Sequence, residues 1–298
     1  MRDALLKANR SMWRSQPLTD ISSLKRVKPG QMIRVGSVWM PIDSLPQVLA
    51  RFTKLLFCLT GSEDHPYSLR GSATGLKFRG QHLLFCCLHQ IADHSPDEIV
   101  VPVDKRGRKL VSGTSFIRVN DLPEFADQEV PDVCAMYFNP PDYGEPLLEG
   151  GFFDIKGADV WGGETETTFL VYGYPTSLRS LGIDDLTGAL DDIKVKMTAT
   201  AAEYDRASSA SGVHALALKR TGTYSSDGLS GGAVFHLAED ARGLYCGFAG
   251  IVLRGSDTSN IIHFMGPSLI RHFFDFQASR EAGRKFEVTS DETPESPH

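Results

Sequence analysis

The sequence has 298 residues, 41% of them hydrophobic, with a formal net charge of −6 and a pI near 5.8. This length can bury the core of one large or two small domains, and the acidic balance argues against a nucleic-acid-binding surface. No apolar stretch approaches the roughly 20 residues that span a bilayer, and the N-terminus lacks the apolar segment of a secretory signal. We therefore expect neither a nucleic-acid nor a membrane partner.

Residues 1–66 are predicted to form an N-terminal helical extension. The stretch DALLKANRSMWR carries a rough helical stripe of apolar residues, and SLPQVLARFTKLLFCL repeats apolar residues at spacings of three and four. An amphipathic helix of this kind must pack on another surface. It is either a packing element of the main domain or a docking surface, through which a regulatory partner or autoinhibition by the extension would act.

From residue 67 to residue 266 the pattern changes to short β-type runs separated by turn residues. These runs are LKFRG, HLLFCCL, EIVVPV, KLVSGTSFIRV and VCAMYF, followed by TTFLVYGY, IKVKMTATAAEY, HALALKR, GAVFHL, YCGFAGIVLR and IIHFM. Many short strands at hairpin spacing are typical of an all-β barrel or sandwich. The segment NPPDYGEPLLEGG divides them, so we predict two similar antiparallel barrels over residues 67–150 and 151–283.

The C-terminal region is predicted to close the second barrel with a helix. The run LIRHFFDFQASREAG has helical spacing and follows Pro267 and Ser268, which form a helix start signal. Residues 284–298 are rich in acids and prolines, and we expect them to form a disordered tail.

The five cysteines are odd in number, and most of them lie in apolar runs. Cys86 and Cys87 are adjacent, and neither cysteine nor histidine recurs at the spacing of zinc ligands. Buried, reduced thiols are typical of a reducing compartment. The sequence therefore predicts a cytoplasmic protein with no metal and no cofactor.

Three segments contain residues that could act together as a catalytic site. Ser230 lies in GLSGGAVF, His89 ends the apolar run in LLFCCLHQ, and Asp132 directly precedes the apolar run in DVCAMYF. A serine hydroxyl becomes an effective nucleophile only beside a base, and that base needs an orienting group. Taken singly, the serine and the aspartate are also typical turn residues, and the histidine also fits a core or turn position.

These segments resemble the catalytic segments of the trypsin/chymotrypsin-like serine proteases in chain order and strand context. FLVYGYP and FAGIVLRG further resemble the strand that opens the second barrel of that family and the strand beside its specificity pocket. The resemblance implies that Ser230 is the nucleophile, His89 the general base and Asp132 its orienting carboxylate. It also implies an oxyanion hole formed by the backbone N–H groups of Gly228 and Ser230.

The sequence departs from the secreted members of that family at several positions. Leu229 stands where those enzymes have the aspartate that pairs with a new N-terminus after zymogen cleavage. Gln90 follows the histidine and Ser226 stands where a pocket disulfide would begin, so the stapling cysteines are absent. This pattern resembles intracellular, bacterial-type relatives that fold directly into their triad.

Tyr224, Leu253 and Gly255 are expected to line the substrate pocket. Because Tyr224 stands where an acidic residue would select Lys or Arg, we expect a small or apolar side chain before the scissile bond. Charged residues nearby leave other preferences open: Asp227, Arg254, Asp257 and His263.

As a whole, the sequence predicts a double-β-barrel serine endopeptidase that acts on protein or peptide substrates. The alternative is a trypsin-fold binding or scaffold module whose triad is inactive or is activated by a partner. An α/β-hydrolase esterase fits poorly, because that fold places its histidine after the serine in chain order.

Overall fold

The computed structural model of this protein consists mainly of β-strands, most of which pair antiparallel in two large sheets. The structure describes residues 30–91, 94–102, 110–122, 132–138, 149–155, 160–183, 190–219 and 224–290. The stretch DALLKANRSMWR, for which a helix is predicted, lies outside these ranges. Within them, no helix combines the length and the apolar character needed to cross a lipid bilayer.

The described chain begins with a hairpin and a short helix. The hairpin consists of β1 (Met32–Val35) and β2 (Val38–Pro41), and the helix is α1 (Leu45–Leu49). β1 also pairs in parallel with a strand of the second sheet, through Arg34 and Val35. This N-terminal hairpin therefore extends the second sheet, although it precedes the first sheet in the chain.

The first sheet carries the strand that leads to His89. Its strands are β3 (Thr53–Leu59), β4 (Tyr67–Phe78), β5 (Gln81–Cys86), β6 (Ile99–Pro102), β7 (Leu110–Ser112), β8 (Ser115–Arg118) and β9 (Cys134–Phe138). They pair in the order β7, β6, β3, β4, β5, β9, β8, and the short β10 (Phe153–Asp154) pairs with β4. Only Gly113 and Thr114 separate β7 from β8, so the chain itself joins the two ends of this sheet.

The second sheet contains a closed ring of six antiparallel strands. In chain order this region contains β11 (Thr168–Gly173), β12 (Arg179–Ile183), β13 (Leu190–Val195), β14 (Thr198–Ala207), β15 (Val213–Leu218), β16 (Ala233–Asp240), β17 (Gly243–Ser256) and β18 (Ile261–Met265). The ring runs β16, β11, β14, β15, β18, β17, and the pairing of β17 with β16 closes it. β12 and β13 form a separate hairpin.

The prediction of an all-β chain built on two antiparallel barrels is confirmed. Every predicted run from LKFRG to IIHFM overlaps at least one strand. Two of the runs are each divided into two strands. Gly113 and Thr114 divide KLVSGTSFIRV, and Lys196 and Met197 divide IKVKMTATAAEY. No finding tests the predicted boundaries 67–150 and 151–283, which stay a prediction.

The helix predicted over SLPQVLARFTKLLFCL is correct only for Leu45–Leu49, and Thr53–Leu59 is a strand of the first sheet. Alternate residues of this strand enter different hydrophobic clusters, with Leu55 in one and Leu56 in the other. A strand that is buried on both faces has an unbroken apolar sequence, which also satisfies helical spacing. The predicted helical extension over 1–66 therefore includes a strand of the first barrel.

The C-terminal helix α3 (Pro267–Ser290) begins at its predicted start signal. Much earlier in the chain, the short helix α2 (Leu88–Ile91) follows β5, with only Cys87 between them. α3 runs past residue 284, where a disordered tail was expected to begin, and residues 291–298 lie outside the described ranges. Phe273 and Phe274 of α3 are buried and contact Phe85 of β5, with ring centroids 5.3 and 6.0 Å apart. The helix thus follows the last strand of the second barrel and packs on the first.

Substitution of Phe273 tests this bridging contact. We expect Phe273→Ala to lower the free energy of unfolding by about 3–5 kcal/mol, because it removes a buried ring and leaves a cavity. An Arg271→Ala control on the exposed face of the same helix should change it by less than about 0.5 kcal/mol. Chemical denaturation followed by circular dichroism measures both, and equal effects of the two variants would contradict the packing described here.

Candidate active site

His89 and Asp132 form a hydrogen-bonded pair beside the first sheet. β5 ends at Cys86, and α2 then presents His89 with its side chain 54% exposed. The backbone N–H of His89 donates to Asp132 Oδ1 at 3.1 Å, and its ring Nδ1 makes a short hydrogen bond with Asp132 Oδ2. The Leu88 N–H also donates to the backbone carbonyl of Asp132, at 3.4 Å. These contacts orient the imidazole and leave its Nε2 for another partner.

This pairing changes the pKa of both side chains. The hydrogen bond with Asp132 raises the pKa of His89 above its ordinary value, and the charges of Asp132 and Asp227 add to the rise against an opposing effect of partial burial. Burial alone would raise the pKa of Asp132, but the hydrogen bonds and charge of His89 outweigh it and lower that pKa overall. Asp132 therefore stays ionised at neutral pH and stabilises the imidazolium form.

Ser230 lies in a tight turn between residues 226 and 232. Gly228 and Gly231 have φ angles of +88° and +79°, which glycine adopts without steric cost. The Leu229 N–H donates to the Ser226 carbonyl at 3.0 Å, and the Leu229 side chain is buried. Leu229 therefore anchors the turn in the hydrophobic core. A charged residue at the same position would need an ionic partner instead.

Ser230 is brought close to the pair of His89 and Asp132 through Cys87. Burial raises the pKa of the Cys87 thiol, and the nearby Ser230 side chain lowers it in part. Cys87 Sγ lies within 4.8 Å of the nearest ligand atoms of His89 and Asp132, and Gln90, next to His89 in the chain, donates to the Ser230 carbonyl at 3.1 Å. The three residues predicted from the sequence thus lie near one buried thiol. In the described part of the chain, no hydrogen bond joins the His89 ring to the Ser230 hydroxyl.

The peptide between Asp227 and Gly228 is held in one orientation. Its carbonyl, the Asp227 oxygen, accepts a hydrogen bond from the Thr176 N–H at 2.9 Å. In a planar trans peptide the N–H points opposite to the C=O. The Gly228 N–H is therefore directed away from Thr176.

The peptide between Leu229 and Ser230 is held in the same manner, because the Leu229 carbonyl accepts a hydrogen bond from the Gly232 N–H at 2.8 Å. Among the described residues, no protein acceptor receives the N–H of Gly228 or of Ser230. Preorganised N–H donors beside a nucleophile are suited to stabilise a developing oxyanion. The turn therefore has the donors that an oxyanion hole requires.

Cys87, His89 and Asp132 also have the atoms of a possible metal site, since their ligand atoms lie within 4.8 Å of one another. A metal ion binds the thiolate form of cysteine. Burial raises the pKa of the Cys87 thiol far above its ordinary value, and the charge of Asp132 raises it further. The neutral thiol is poorly suited to metal binding, and the expectation of no metal stays a prediction.

The predicted pocket residues lie among packed side chains. The Tyr224 hydroxyl makes a short hydrogen bond with Thr200 Oγ1 of β14, and Leu253 is buried in the core. A methyl group placed on Gly255 would lie 2.6 Å from Ser226 Cβ and 3.2 Å from Ile262 Cγ2. Ser226 and Ile262 therefore fill the space next to Gly255. The pocket role of Tyr224, Leu253 and Gly255 stays a prediction.

Asp257 connects the segment before the turn to the end of β17. Its Oδ1 accepts from the Ser226 N–H at 2.5 Å, and its Oδ2 accepts from Ser225 Oγ at 2.7 Å. Ser226 stands where the family resemblance implies the start of a pocket disulfide. A carboxylate with two hydrogen bonds therefore joins these segments where secreted relatives are implied to have a covalent link.

Sequence reasoning missed a set of polar residues that contact the turn from outside: Ser72, Thr74, Gln90 and Thr176. Ser72 and Thr74 alternate along β4 and therefore share one face of the strand. Their period-2 spacing, alternating with Ala73 in a stretch of small residues, is the signal that the sequence offers. For Gln90 the signal is its place after an apolar run, because a polar residue there needs a hydrogen-bond partner.

No family model matches the chain, and no curated protein matches its sequence significantly. Among solved structures, a scabies mite inactivated protease paralogue is 11% identical with a TM-score of 0.46, over 78% of this chain and 96% of that one. Tobacco vein mottling virus protease is 10% identical with a TM-score of 0.39, over 73% and 77%. The HtrA-type protease AlgW with tripeptide is 19% identical with a TM-score of 0.44, over 80% of this chain and 62% of that one. These similarities are too weak to establish family membership.

The pH dependence of Ser230 reactivity tests the raised pKa of His89. Since the base must be neutral, we expect the labelling rate by a fluorophosphonate to rise with pH through an apparent pKa above the ordinary histidine value of about 6.5. Asp132→Asn should lower that apparent pKa and lower the maximal rate by up to about 10⁴-fold. An Asp43→Asn control at an exposed site should change neither. A wild-type apparent pKa below about 6.5 would contradict the described pair.

Thr176 offers a matched pair of variants that tests the orientation of the Gly228 N–H. Thr176 begins a one-turn 3-10 helix after Pro175, whose ψ of 132° suits a following proline. Thr176→Pro removes the N–H that binds the Asp227 carbonyl and places a ring carbon against that oxygen. We expect the labelling rate to fall by about 10²-fold, while Thr176→Ala, which keeps the N–H, stays near wild type. Equal rates for the two variants would contradict the role of this hydrogen bond.

Proposed function

We propose that this protein is a serine endopeptidase that cleaves peptide bonds through an acyl-enzyme intermediate. The observation that carries the proposal is the doubly hydrogen-bonded pair of His89 and Asp132 beside the turn of Ser230. The unpaired N–H groups of Gly228 and Ser230 support it further. A nucleophile, a base with its orienting group and oxyanion donors are the parts that acyl transfer requires.

In the proposed reaction, Ser230 Oγ attacks the carbonyl carbon of the scissile peptide bond while His89 Nε2 accepts the hydroxyl proton. Asp132 keeps the proton of Nδ1 in place and stabilises the imidazolium. The N–H groups of Gly228 and Ser230 donate to the oxyanion of the tetrahedral intermediate. His89 then protonates the leaving amine, and water hydrolyses the acyl-enzyme by the same steps. A hydrogen bond between His89 Nε2 and the Ser230 hydroxyl must form for this step.

The proposed substrate is a protein or peptide with a small or apolar residue before the scissile bond. The contact of Ser226 and Ile262 with Gly255 supports a small residue, because a large side chain would have to displace them. We further propose that the reaction needs no cofactor and proceeds in the cytoplasm. Residues of the N-terminal extension, or a partner that binds them, would regulate access.

A binding or scaffold module with an inactive triad is the second candidate function. Two observations favour it: no hydrogen bond joins His89 to Ser230 in the described chain, and Ser226 and Ile262 fill the space beside Gly255. In such a module the turn and the histidine would be preserved for structure, and a partner would bind the closed site.

Labelling by a fluorophosphonate distinguishes the two candidates. For an endopeptidase we expect wild-type protein to be labelled and to cleave members of a peptide library, and Ser230→Ala to do neither. Ser62→Ala, a change of the same kind in an exposed loop, should behave like wild type. Wild-type protein that is folded but neither labelled nor active on any peptide would exclude the endopeptidase and support the scaffold module. Labelling that appears only after removal of residues 1–29 or with an added partner would assign regulation to that segment or partner.

A further inference from the structure

The turn around Ser230 has no ionic anchor of its own, since Leu229 precedes the nucleophile. Leu229 is buried, and a methyl group placed on Gly173 would lie 2.7 Å from its side chain. An apolar anchor of this kind fixes the depth of the turn in the core but makes no directional contact with its peptide groups. Two hydrogen bonds within the turn orient some of those peptide groups, and hydrogen bonds donated by other segments orient the others.

Ser72 and Thr74 of β4 supply two of these hydrogen bonds. Ser72 Oγ donates to the Gly228 carbonyl at 2.7 Å, and Thr74 Oγ1 donates to the Gly231 carbonyl at 2.7 Å. Both side chains are fully buried. Ser72 Oγ also accepts a hydrogen bond from the Tyr174 N–H at 2.8 Å, which fixes the direction of its own proton.

Gln90 supplies a third hydrogen bond to the turn and connects the turn to α2, the helix that contains His89. Its Nε2 donates to the Ser230 carbonyl at 3.1 Å and to the carbonyls of Arg70 and Ser72 at 3.0 and 3.2 Å. Its Oε1 accepts from the Cys87 N–H at 2.7 Å. One buried carboxamide therefore joins the start of α2, strand β4 and the turn of the nucleophile.

These contacts act on the atoms that set the oxyanion geometry. Ser72 binds the carbonyl of Gly228 itself, and Thr176 binds the carbonyl of the preceding residue, Asp227. With the peptides on both sides of its Cα fixed, Gly228 has one orientation for its N–H. A Cβ on Gly231 would overlap the Ser72 carbonyl oxygen, so β4 and the turn are in direct backbone contact.

We propose that Ser72, Thr74 and Gln90 are positioning residues that hold the Ser230 turn in its reactive geometry without zymogen cleavage. We call these three residues the polar clamp. The inference rests on the proposed function and adds to it the means by which the turn is ordered. The clamp takes the place of the ion pair that the family resemblance implies for secreted relatives. The chain is thus ordered for reaction as soon as its two barrels are packed together.

Isosteric removal of the clamp hydroxyls tests the proposal. We expect Ser72→Ala to lower kcat on a peptide substrate by about tenfold or more, with KM changed by less than about twofold, because the oxyanion donors act mainly in the transition state. Ser72→Cys keeps the volume and a weak donor and should restore part of kcat. Thr74→Val, which removes a hydroxyl with little change of shape, should also lower kcat. Thr74→Ser keeps the hydroxyl and should have a kcat near that of wild type.

The matched control is Thr167→Val, since Thr167 Oγ1 donates to the Leu237 carbonyl in the middle of β16. It should lower the melting temperature as Thr74→Val does and leave kcat unchanged. If Ser72→Ala and Thr74→Val are folded and keep kcat within about twofold of wild type, the clamp has no positioning role. An equal loss of kcat in Thr167→Val would also overturn the proposal, because the effect would then be one of general stability.

Amide hydrogen exchange tests the polar clamp independently of the proposed endopeptidase activity. We expect Ser72→Ala and Gln90→Met to speed amide exchange over residues 225–232, with exchange in β14 and β15 unchanged. If wild-type protein is inactive but the variants show this local effect, the endopeptidase proposal is rejected and the polar clamp is supported as the element that orders the turn. If wild-type protein is active but the variants show neither the kinetic nor the exchange effect, the clamp proposal is rejected and the endopeptidase proposal is supported.

Discussion

The hydrogen bonds that pass from the first barrel into the turn of Ser230 are the contacts on which the rest of the site depends. His89 and Asp132 lie beside the first sheet and Ser230 beside the second, so the geometry that relates the proposed base to the proposed nucleophile depends on how the two sheets pack. The carboxamide of Gln90 spans that boundary and uses both its oxygen and its nitrogen. Buried amides of this kind specify geometry, because any other arrangement would leave polar groups without partners.

Directional polar contacts here occupy places that covalent or ionic links hold in the secreted enzymes which the sequence resembles. Gln90 binds the turn from the position after the histidine, and Asp257 joins the two segments beside Gly255. The described cysteines form no disulfide bonds, and all of them are buried. Hydrogen bonds between buried groups are individually weak, near 1 kcal/mol each, but their directions are strict. Such a site is held by the number and geometry of its contacts.

Much of the fold could be predicted because short strands with turn residues between them leave a clear pattern. β3 was missed because both of its faces are buried, with Leu55 and Leu56 in different clusters, so it has no alternation of polar and apolar residues. β1 and β2 were missed because strands of four residues each are too short to show a period. The pairing of β1 with β17, far along the chain, is a tertiary contact that local sequence does not encode.

For the site, the sequence predicted which side chains could act but not what holds them. His89, Asp132 and Ser230 have recognisable local contexts, and the structure brings them together around Cys87. The contacts of Ser72, Thr74 and Gln90 join residues more than a hundred positions apart, and no local pattern specifies their partners. The filling of the space beside Gly255 likewise depends on Ile262, which only the pairing of β17 with β18 places there.

The packing of α3 on β5 has a consequence for the time at which the site is completed during synthesis. The turn of Ser230 binds residues of β4 that lie some 156 positions earlier in the chain, and α3, which packs on β5, is made after all the strands of both sheets. Contacts of such long sequence separation form late, after the intervening strands have paired. A nascent chain therefore contains His89 and Asp132 well before the turn of Ser230 can be ordered. The proposed site is thus assembled only after the strands of both sheets have paired.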